Sequence, residues 1–435
     1  MASAIVRRCV ATFAGLALLG ALLPAVATAD GIFERYHGGP LTLAAALARA
    51  DGANVDVRVA RGTALSAEGD AVTAMAGARP QLAFGATAMD ANLPQLGMPV
   101  ARQTYASTSA TVPIFAPAAM GNARAARAAG AAAQVEVDTA RNDAAFAVAQ
   151  AYRRAQLATA LVEVRKVAVT DQRQHLAVMQ LRIANGKSPR YVALRDRAAL
   201  AQSEQLEEDA QAERDKALAD LATVLAYDPA KPPSIAEPLA RVSAPDETGD
   251  ALVASALANR PDVHAAAQRV EGAELAVRAA RAAFEPSASL SAQSYNGSST
   301  PNLGASGGQV AVSLSFPVVD GGARSGAVTK ARGELERAQA ALDGARAAAA
   351  RDALDALRDV RAAETNLATA AAAERDAQAQ LAVARLREAA GKTIELEVLD
   401  SLAVAATARE SALRALAVYD VAIAALHHAT GTPQV

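Results

Sequence analysis

The chain of 435 residues has no tryptophan, seven tyrosines, seven phenylalanines and one cysteine. That cysteine, Cys9, falls inside an N-terminal leader, so the remainder can form no disulfide and offers no thiol nucleophile or thiolate metal ligand. Aromatic residues make up 3% of the chain and cannot fill a thick core, although 52% is hydrophobic. Alanine supplies most of that share; it favours helix and lets backbones approach closely, but it fills little volume. Long apolar runs are also missing. Past the leader, no eighteen-residue stretch is apolar and free of charge, which excludes a transmembrane helix. An excess of positive charge is absent too: 43 basic side chains face 45 acidic ones. Removing Arg7 and Arg8 with the leader leaves 41 against 45, or −4. A nucleic-acid partner would want a basic surface and is excluded.

What is present begins with an export signal. Arg7 and Arg8 precede an apolar run from Cys9 to Leu23, and Ala27-Thr28-Ala29 ends it with small residues before Asp30. A charged segment, a short apolar segment and a small-x-small site predict a cleaved signal over residues 1–29. The remaining chain is written twice. Asp56-Val57 recurs as Asp262-Val263 and Pro80 as Pro286, both at an offset of 206. Pro113 recurs as Pro317 at 204, and Gly186 as Gly391 at 205. A register this steady marks a duplicated unit, and one far too long for a solenoid.

Each copy reads as helix, strand, loop, strand, very long helix, glycine break, helix. The first copy spans 30–226: a helix over 43–78, a β-hairpin over 81–114 and long helices over 118–225. A proline-rich connector, 227–247, leads to the second copy, 248–430, and a short tail follows at 431–435. There the helix is 251–283, the hairpin 287–316 and the long helices 323–428. From Ala118 to Ala184 no proline intervenes, so at 1.5 Å per residue this helix would be ~100 Å long. Val135, Phe146, Leu157, Ala168 and Met179 recur every eleven residues, which keeps a stripe on a nearly straight helix. Leu161, Val162, Val164, Val167 and Val169 cover more than one face, so packing on two sides is expected. In the second hairpin, Ser287, Ser289, Ser291 and Gln293 alternate with Ala288, Leu290 and Ala292. Likewise Gln309, Ala311, Ser313 and Ser315 alternate with Val310, Val312, Leu314 and Phe316. Leu82, Phe84, Val112 and Ile114 mark the apolar side of the first hairpin, and the four expected strands, 81–89, 105–114, 287–295 and 309–316, carry no charge. A soluble sandwich hairpin and a membrane barrel both alternate in this way. The export signal and the duplication favour the barrel.

With these pieces in order, the chain resembles the TolC-like outer-membrane efflux proteins over almost its whole mature length. The resemblance is carried by the two helix–hairpin–long-helix copies and by Asn259-Arg260-Pro261-Asp262-Val263. The Phe316 to Gly322 lead-in to the second long helix and the stretch from Gly391 to Asp400 add to it. It implies a mainly α fold with a membrane β-barrel part, in which a homotrimer closes twelve strands and continues as a helical cylinder across the periplasm. It implies docking of a periplasmic adaptor and its inner-membrane pump at the helix breaks, at Gly186, Lys187, Arg190, Gly391 and Lys392. Glu397 and Asp400 match the acidic positions that narrow the family's periplasmic entrance, although the family often has Asp at the first of them. Three residues apart, they share one helix face. As trimeric rings they would favour cations. A solvated helix face is the plainer alternative. Val192 and Arg195 stand at the matching places of the first copy, so an acidic ring would come from the second copy alone. Lys187, Arg190, Arg195 and Lys392 are the cations expected to pair with those acids, and Arg195 and Asp196 mark further ion pairing at the tip.

The remaining constellations point elsewhere. Gly321, Gly322 and Gly326 lack phosphate-loop spacing and read as a strand-to-helix turn. His427 and His428 point apart on a helix and read as a frayed end; His37, His175 and His264 have no second ligand nearby in sequence. Asn296-Gly297-Ser298 reads as an external turn. Glu204 with Glu208, and Asp352 with Arg358, sit at spacings suited to salt bridges along a helix. No catalytic, cofactor or metal site is expected. The sequence therefore predicts an outer-membrane exit channel for tripartite efflux or type I secretion, with an exported coiled-coil spacer as the rival reading.

Overall fold

The computed structural model of the chain describes residues 34, 36–91, 101–186, 189–245, 247–299, 305–390, 392 and 395–434. The expected signal, Lys187 and Gly391 lie outside them. The elements run α1 (Leu43–Ala53), α2 (Val55–Ala76), β1 (Gln81–Ala91), β2 (Ala101–Phe115), α3 (Pro117–Ala184) and α4 (Arg190–Val224). The second copy follows as α5 (Gly249–Asn259), α6 (Pro261–Ala282), β3 (Ser287–Ser299), β4 (Ala305–Ser315), α7 (Ala323–Ala389) and α8 (Glu395–Thr430).

The expected first helix of each copy is in fact two. In copy one Asn54 interrupts it: its side-chain oxygen accepts from the amides of Asp56 (2.9 Å) and Val57 (3.4 Å), which caps α2. Its amide nitrogen donates to the Val224 carbonyl at 3.3 Å and ties the kink to the end of α4. In copy two the break falls at Arg260, offset by 206, where Pro261 opens α6 at a position that needs no amide donor. Arg260 then pairs with Asp262 at 2.6 Å and with Asp352 at 3.0 Å. One kink is built by two different chemistries.

The strands form one antiparallel sheet in the order β1-β2-β3-β4, joined in the middle by β2 and β3. All four differ in extent from the reading of the sequence. β1 and β2 continue to a pairing of Asp90 with Arg102, so these strands are charged at their far ends. Asn296-Gly297-Ser298 lies within β3 and is no external turn, while Phe316 falls just beyond β4. Register sorts the faces. Leu82, Ala110, Ala292 and Val310 lie in one row, and Val112, Leu290 and Val312 in the next. The opposite face carries Ser109, Gln293 and Gln309 in one row, with Gln309 donating to Gln293 at 3.2 Å. Val310, Val312 and Leu314 are each at least 70% exposed, so nothing else among the described residues covers this part of the apolar face.

α3 packs against α1, α2, α4, α6 and α8, which explains its lack of a single narrow seam. The expected eleven-residue stripe is not the most deeply buried line, for Val135, Phe146, Leu157 and Ala168 are only half-buried. Val148, Ala155, Val162, Val169 and Leu176 are buried instead, seven residues apart, which is the period of a left-handed supercoil. Near the equator, Val148, Tyr152 and Ala155 meet Leu221 of α4, Leu225 at its C-cap, and Ala46 and Ala50 of α1. The matching cluster of copy two contains Leu426 where copy one has Leu221, at offset 205. The connector wraps this level. Leu41 exchanges backbone hydrogen bonds with Ser234 and Ala236, and Tyr152 donates to the Leu41 carbonyl at 2.9 Å. Burial and the nearby Glu237 push the Tyr152 phenol up to about 12.

The C-terminal histidines are not frayed. His427 bonds Thr432 at 2.9 Å, while His428 reaches Asp143 of α3 at 2.7 Å and stacks on Phe146. His264 bonds the Ala258 carbonyl. At the foot of α7, Gly321 and Gly322 hold φ of 63° and 93°, the left-handed turn that glycine allows. Asp320 accepts from the Gly322 and Arg324 amides and from the Arg324 guanidinium, which together hold its carboxyl at about 2.

Close approach of the two copies makes one position sensitive. A Cβ on Gly121 of α3 would lie 2.7 Å from Ala279 Cα of α6. Backbone cannot yield as a side-chain tip can, so Gly121→Ala should destabilise the fold by about 1–3 kcal/mol, the usual cost of overpacking. A lowered midpoint of thermal unfolding in detergent is the expected result; an unchanged midpoint would refute the close contact.

Candidate functional site

The helix breaks end the two long hairpins. Leu181, Ile183 and Asn185 close α3: the Asn185 amide donates to the Leu181 carbonyl and the Gly186 amide to the Ile183 carbonyl. Gly186 then turns the chain at φ 70°, and Pro189 precedes α4. The break in copy two is closed by the Lys392 amide, which donates to the Arg387 carbonyl at 2.9 Å.

Past that break, α8 turns Val398, Leu399 and the hydroxyl of Ser401 inward, the last donating to the Glu397 carbonyl at 2.6 Å. Glu397 is half-buried and Asp400 exposed. Among the described residues Glu397 pairs with Arg387 of α7, at 2.9 Å, a cation that was not among those expected. A reach of ten residues across the break, unlike a spacing of three or four along a helix, is invisible to helical periodicity. Arg190, Arg195 and Lys392 are exposed and make no salt bridge with either acid among the described residues. Arg195 and Asp400 do share a groove of about 550 Å³ between α3, α4, α7 and α8, with Asp171, Leu206 and Leu399 also on its walls. Asp196 is fully buried beside them in sequence, on the inner face of α4.

Sequence reasoning missed the charges that clamp the hairpins together. Arg385 of α7 pairs with Asp171 of α3 at 3.0 Å. Glu388, in the last turn of α7, faces Arg182 at 3.4 Å and the buried His175 at 3.8 Å, both on α3. Further from the tip, Arg165 of α3 meets the buried Glu410 of α8 at 2.5 Å, and Arg153 faces the buried Asp420 at 3.9 Å. Burial pushes the Asp420 carboxyl up, against the pull of the Val242 amide and of Arg153 and Arg241. Of the spacings suggested along single helices, two give way to ties with other elements, Glu204 to Arg173 and Asp352 to Arg260, while Arg358 pairs with Asp355 three residues away on α7. Position sums hold the signal that was there to be used. Arg165 with Glu410 and Arg153 with Asp420 give 575 and 573, the near-constant sum expected of two antiparallel helices. Among the described residues, no group of three His, Cys, Asp or Glu is arranged to hold a metal ion. No helix among them is long and apolar enough to cross a membrane, which says nothing of the strands.

Residues 252–432 match the family described as outer membrane efflux protein. The second copy of the chain is therefore similar to the proteins of that family. Protein CyaE of Bordetella pertussis is 36% identical over 176 residues, a stretch covering 39% of this chain and 36% of that relative's length. Solved structures extend the likeness to the first copy as fold. The outer membrane protein VceC from Vibrio cholerae superposes with a TM-score of 0.74 at 22% identity, over 90% of this chain and 96% of that one. The open state of the MtrE outer membrane channel from Neisseria gonorrhoeae gives 0.76 at 21% identity, over 90% and 89%. The efflux-protein fold therefore covers both copies, although the family match itself covers the second.

Glu410 provides a test of the seam between the copies. Its side chain is 6% exposed and forms an ion pair with a partly buried guanidinium. Glu410→Gln would leave Arg165 without its counter-charge and should cost about 2 kcal/mol, the scale of leaving a buried polar group unsatisfied. The check is chemical denaturation of the wild type and the variant in detergent; equal midpoints would contradict the assignment.

Proposed function

We propose that three copies of this chain form an outer-membrane exit channel, serving tripartite efflux or type I secretion. The carrying observation is the sheet: four strands, an apolar face left exposed, a polar uncharged face opposite, and two unpaired edges. An open sheet with an exposed apolar face is unstable in water and viable in lipid when its edges close on one another. Pairing β4 of one chain with β1 of the next closes twelve strands, apolar side to lipid and the Ser/Gln side to water. The units 30–226 and 248–430 then contribute six similar walls, with 227–247 wrapped at the equator. The helix breaks form the periplasmic tip, where the adaptor of an inner-membrane pump docks at Gly186, Lys187, Arg190, Gly391 and Lys392. The energy is supplied by the pump; the channel conducts passively and catalyses nothing.

At the tip, threefold symmetry makes Glu397 and Asp400 two rings of carboxylates that favour cations. Arg387 restrains the upper ring by pairing Glu397 and tying α7 to α8. Asp400→Ala should reduce cation selectivity without closing the pore. Arg387→Ala should raise open probability about two- to fivefold, as loss of an exposed ion pair of about 0.5–1 kcal/mol allows.

Planar-bilayer recordings of the purified protein, with its mass in detergent, test the whole reading. Trimers with steady ion conductance are expected. A monomer recovered from the periplasm without detergent and silent in bilayers would instead support a coiled-coil spacer. Unchanged selectivity in Asp400→Ala would remove the carboxylate ring alone.

A further inference from the structure

The apolar face of the sheet reaches all the way to the helices. Its lowest row holds Ala288 and Leu314, and β4 runs on into Phe316, Val318 and Val319, the last two 78% and 89% exposed. No polar row separates this foot from the turns that lead into the helical part. If lipid covers the apolar rows, the hydrocarbon boundary lies at this foot. The headgroup layer, about 5–7 Å deep on each side of a bilayer, then covers the adjoining turns.

Those turns carry free positive charge. Arg79 stands just before Pro80 and β1, and Arg281 lies in the last turn of α6. Arg124 and Lys330 each lie seven residues inside the starts of α3 and α7, about 10 Å along the axis. Helical side chains lean toward the N-terminus, so the latter two reach back toward the sheet. All four are exposed and none has a carboxylate partner among the described residues. Arg278 and Arg324 in the same layer are neutralised by Glu274 and Asp320. The free acids there are Asp70, six residues before the end of α2, and Glu285, so four cations less two acids leave an excess of two per chain, in a protein whose overall charge is −2.

We infer that the foot of the sheet is a binding surface for phospholipids with an anionic headgroup, held by Arg79, Arg124, Arg281 and Lys330 above an apolar seat formed by Phe316, Val318 and Val319. Guanidinium and ammonium groups bind the phosphate while the apolar residues accept the upper acyl chain. This rests on the membrane-barrel reading above.

Native mass spectrometry of the protein extracted from vesicles of phosphatidylethanolamine and phosphatidylglycerol in equal amounts tests it. Retention of phosphatidylglycerol at least about fivefold over phosphatidylethanolamine is expected at 0.1 M salt, shrinking toward parity at 1 M, since screening weakens exposed charge. The variant with Arg79→Gln, Arg124→Gln, Arg281→Gln and Lys330→Gln should lose the preference while still conducting in bilayers. Equal retention of the two lipids by the wild type overturns the inference, as does a preference unchanged by salt or by the four substitutions. Should the variant not assemble, the salt series on the wild type decides alone. Displacement of phosphatidylglycerol by inorganic phosphate at equal concentration would reduce the surface to a phosphate site and overturn the lipid assignment. Loss of conductance in the wild type would count against the channel, not against the lipid surface.

Discussion

Close contact along α3 holds the two copies together. Ala123, Ala132, Ala133, Ala144, Ala149, Ala155 and Ala158 are all buried on this one helix, and Gly121 faces the backbone of Ala279. Small side chains let five helices pack around α3 at short range, and dispersion summed over many such contacts replaces the thick aromatic core that this composition cannot make. Larger residues are kept for the equator, where Tyr152, Leu221, Leu225, Tyr419 and Leu426 are fully buried. The cross-section there widens to take in α1, α5 and the connector, so there is volume for them to fill.

Charge then sets the register that alanine leaves undetermined. A smooth, small-residue seam permits sliding, whereas Arg165 with Glu410 and Arg153 with Asp420 match at one alignment of α3 with α8. Toward the tip the same role passes to Asp171 with Arg385 and to Arg182 with Glu388. These ties join copy one to copy two, so any motion that opens the tip must break or carry them.

The two copies share a frame and differ in chemistry. Asn54 caps by side-chain hydrogen bonding where Arg260 and Pro261 make the same bend through a fixed φ and an ion-pair fork. Glu397 and Asp400 belong to copy two alone, with Val192 and Arg195 in the matching places of copy one. In the proposed trimer, a wall of nearly sixfold character would carry an entrance of threefold chemistry.

Much of this was legible in order along the chain. The offset of 205–206 survives as matched kinks at Asn54 and Arg260 and matched core leucines at 221 and 426, because duplication preserves spacing. Alternation from Ser287 to Ala292 and from Gln309 to Leu314 declared the strands and their faces, since period two is a local property of extended backbone. Near and far neighbours in space were not legible. The seven-residue line from Val148 to Leu176 was hidden among alanines and valines that satisfy several periods at once. The Arg387–Glu397 pair and the ties from α3 to α7 and α8 join residues far apart in sequence. The sequence alone thus determined the repeat, the elements and the two faces of the sheet, all of which follow from short-range periodicity. Only the tertiary structure decided which charges meet, because partners are chosen by the register of helices that meet after the chain has turned back on itself.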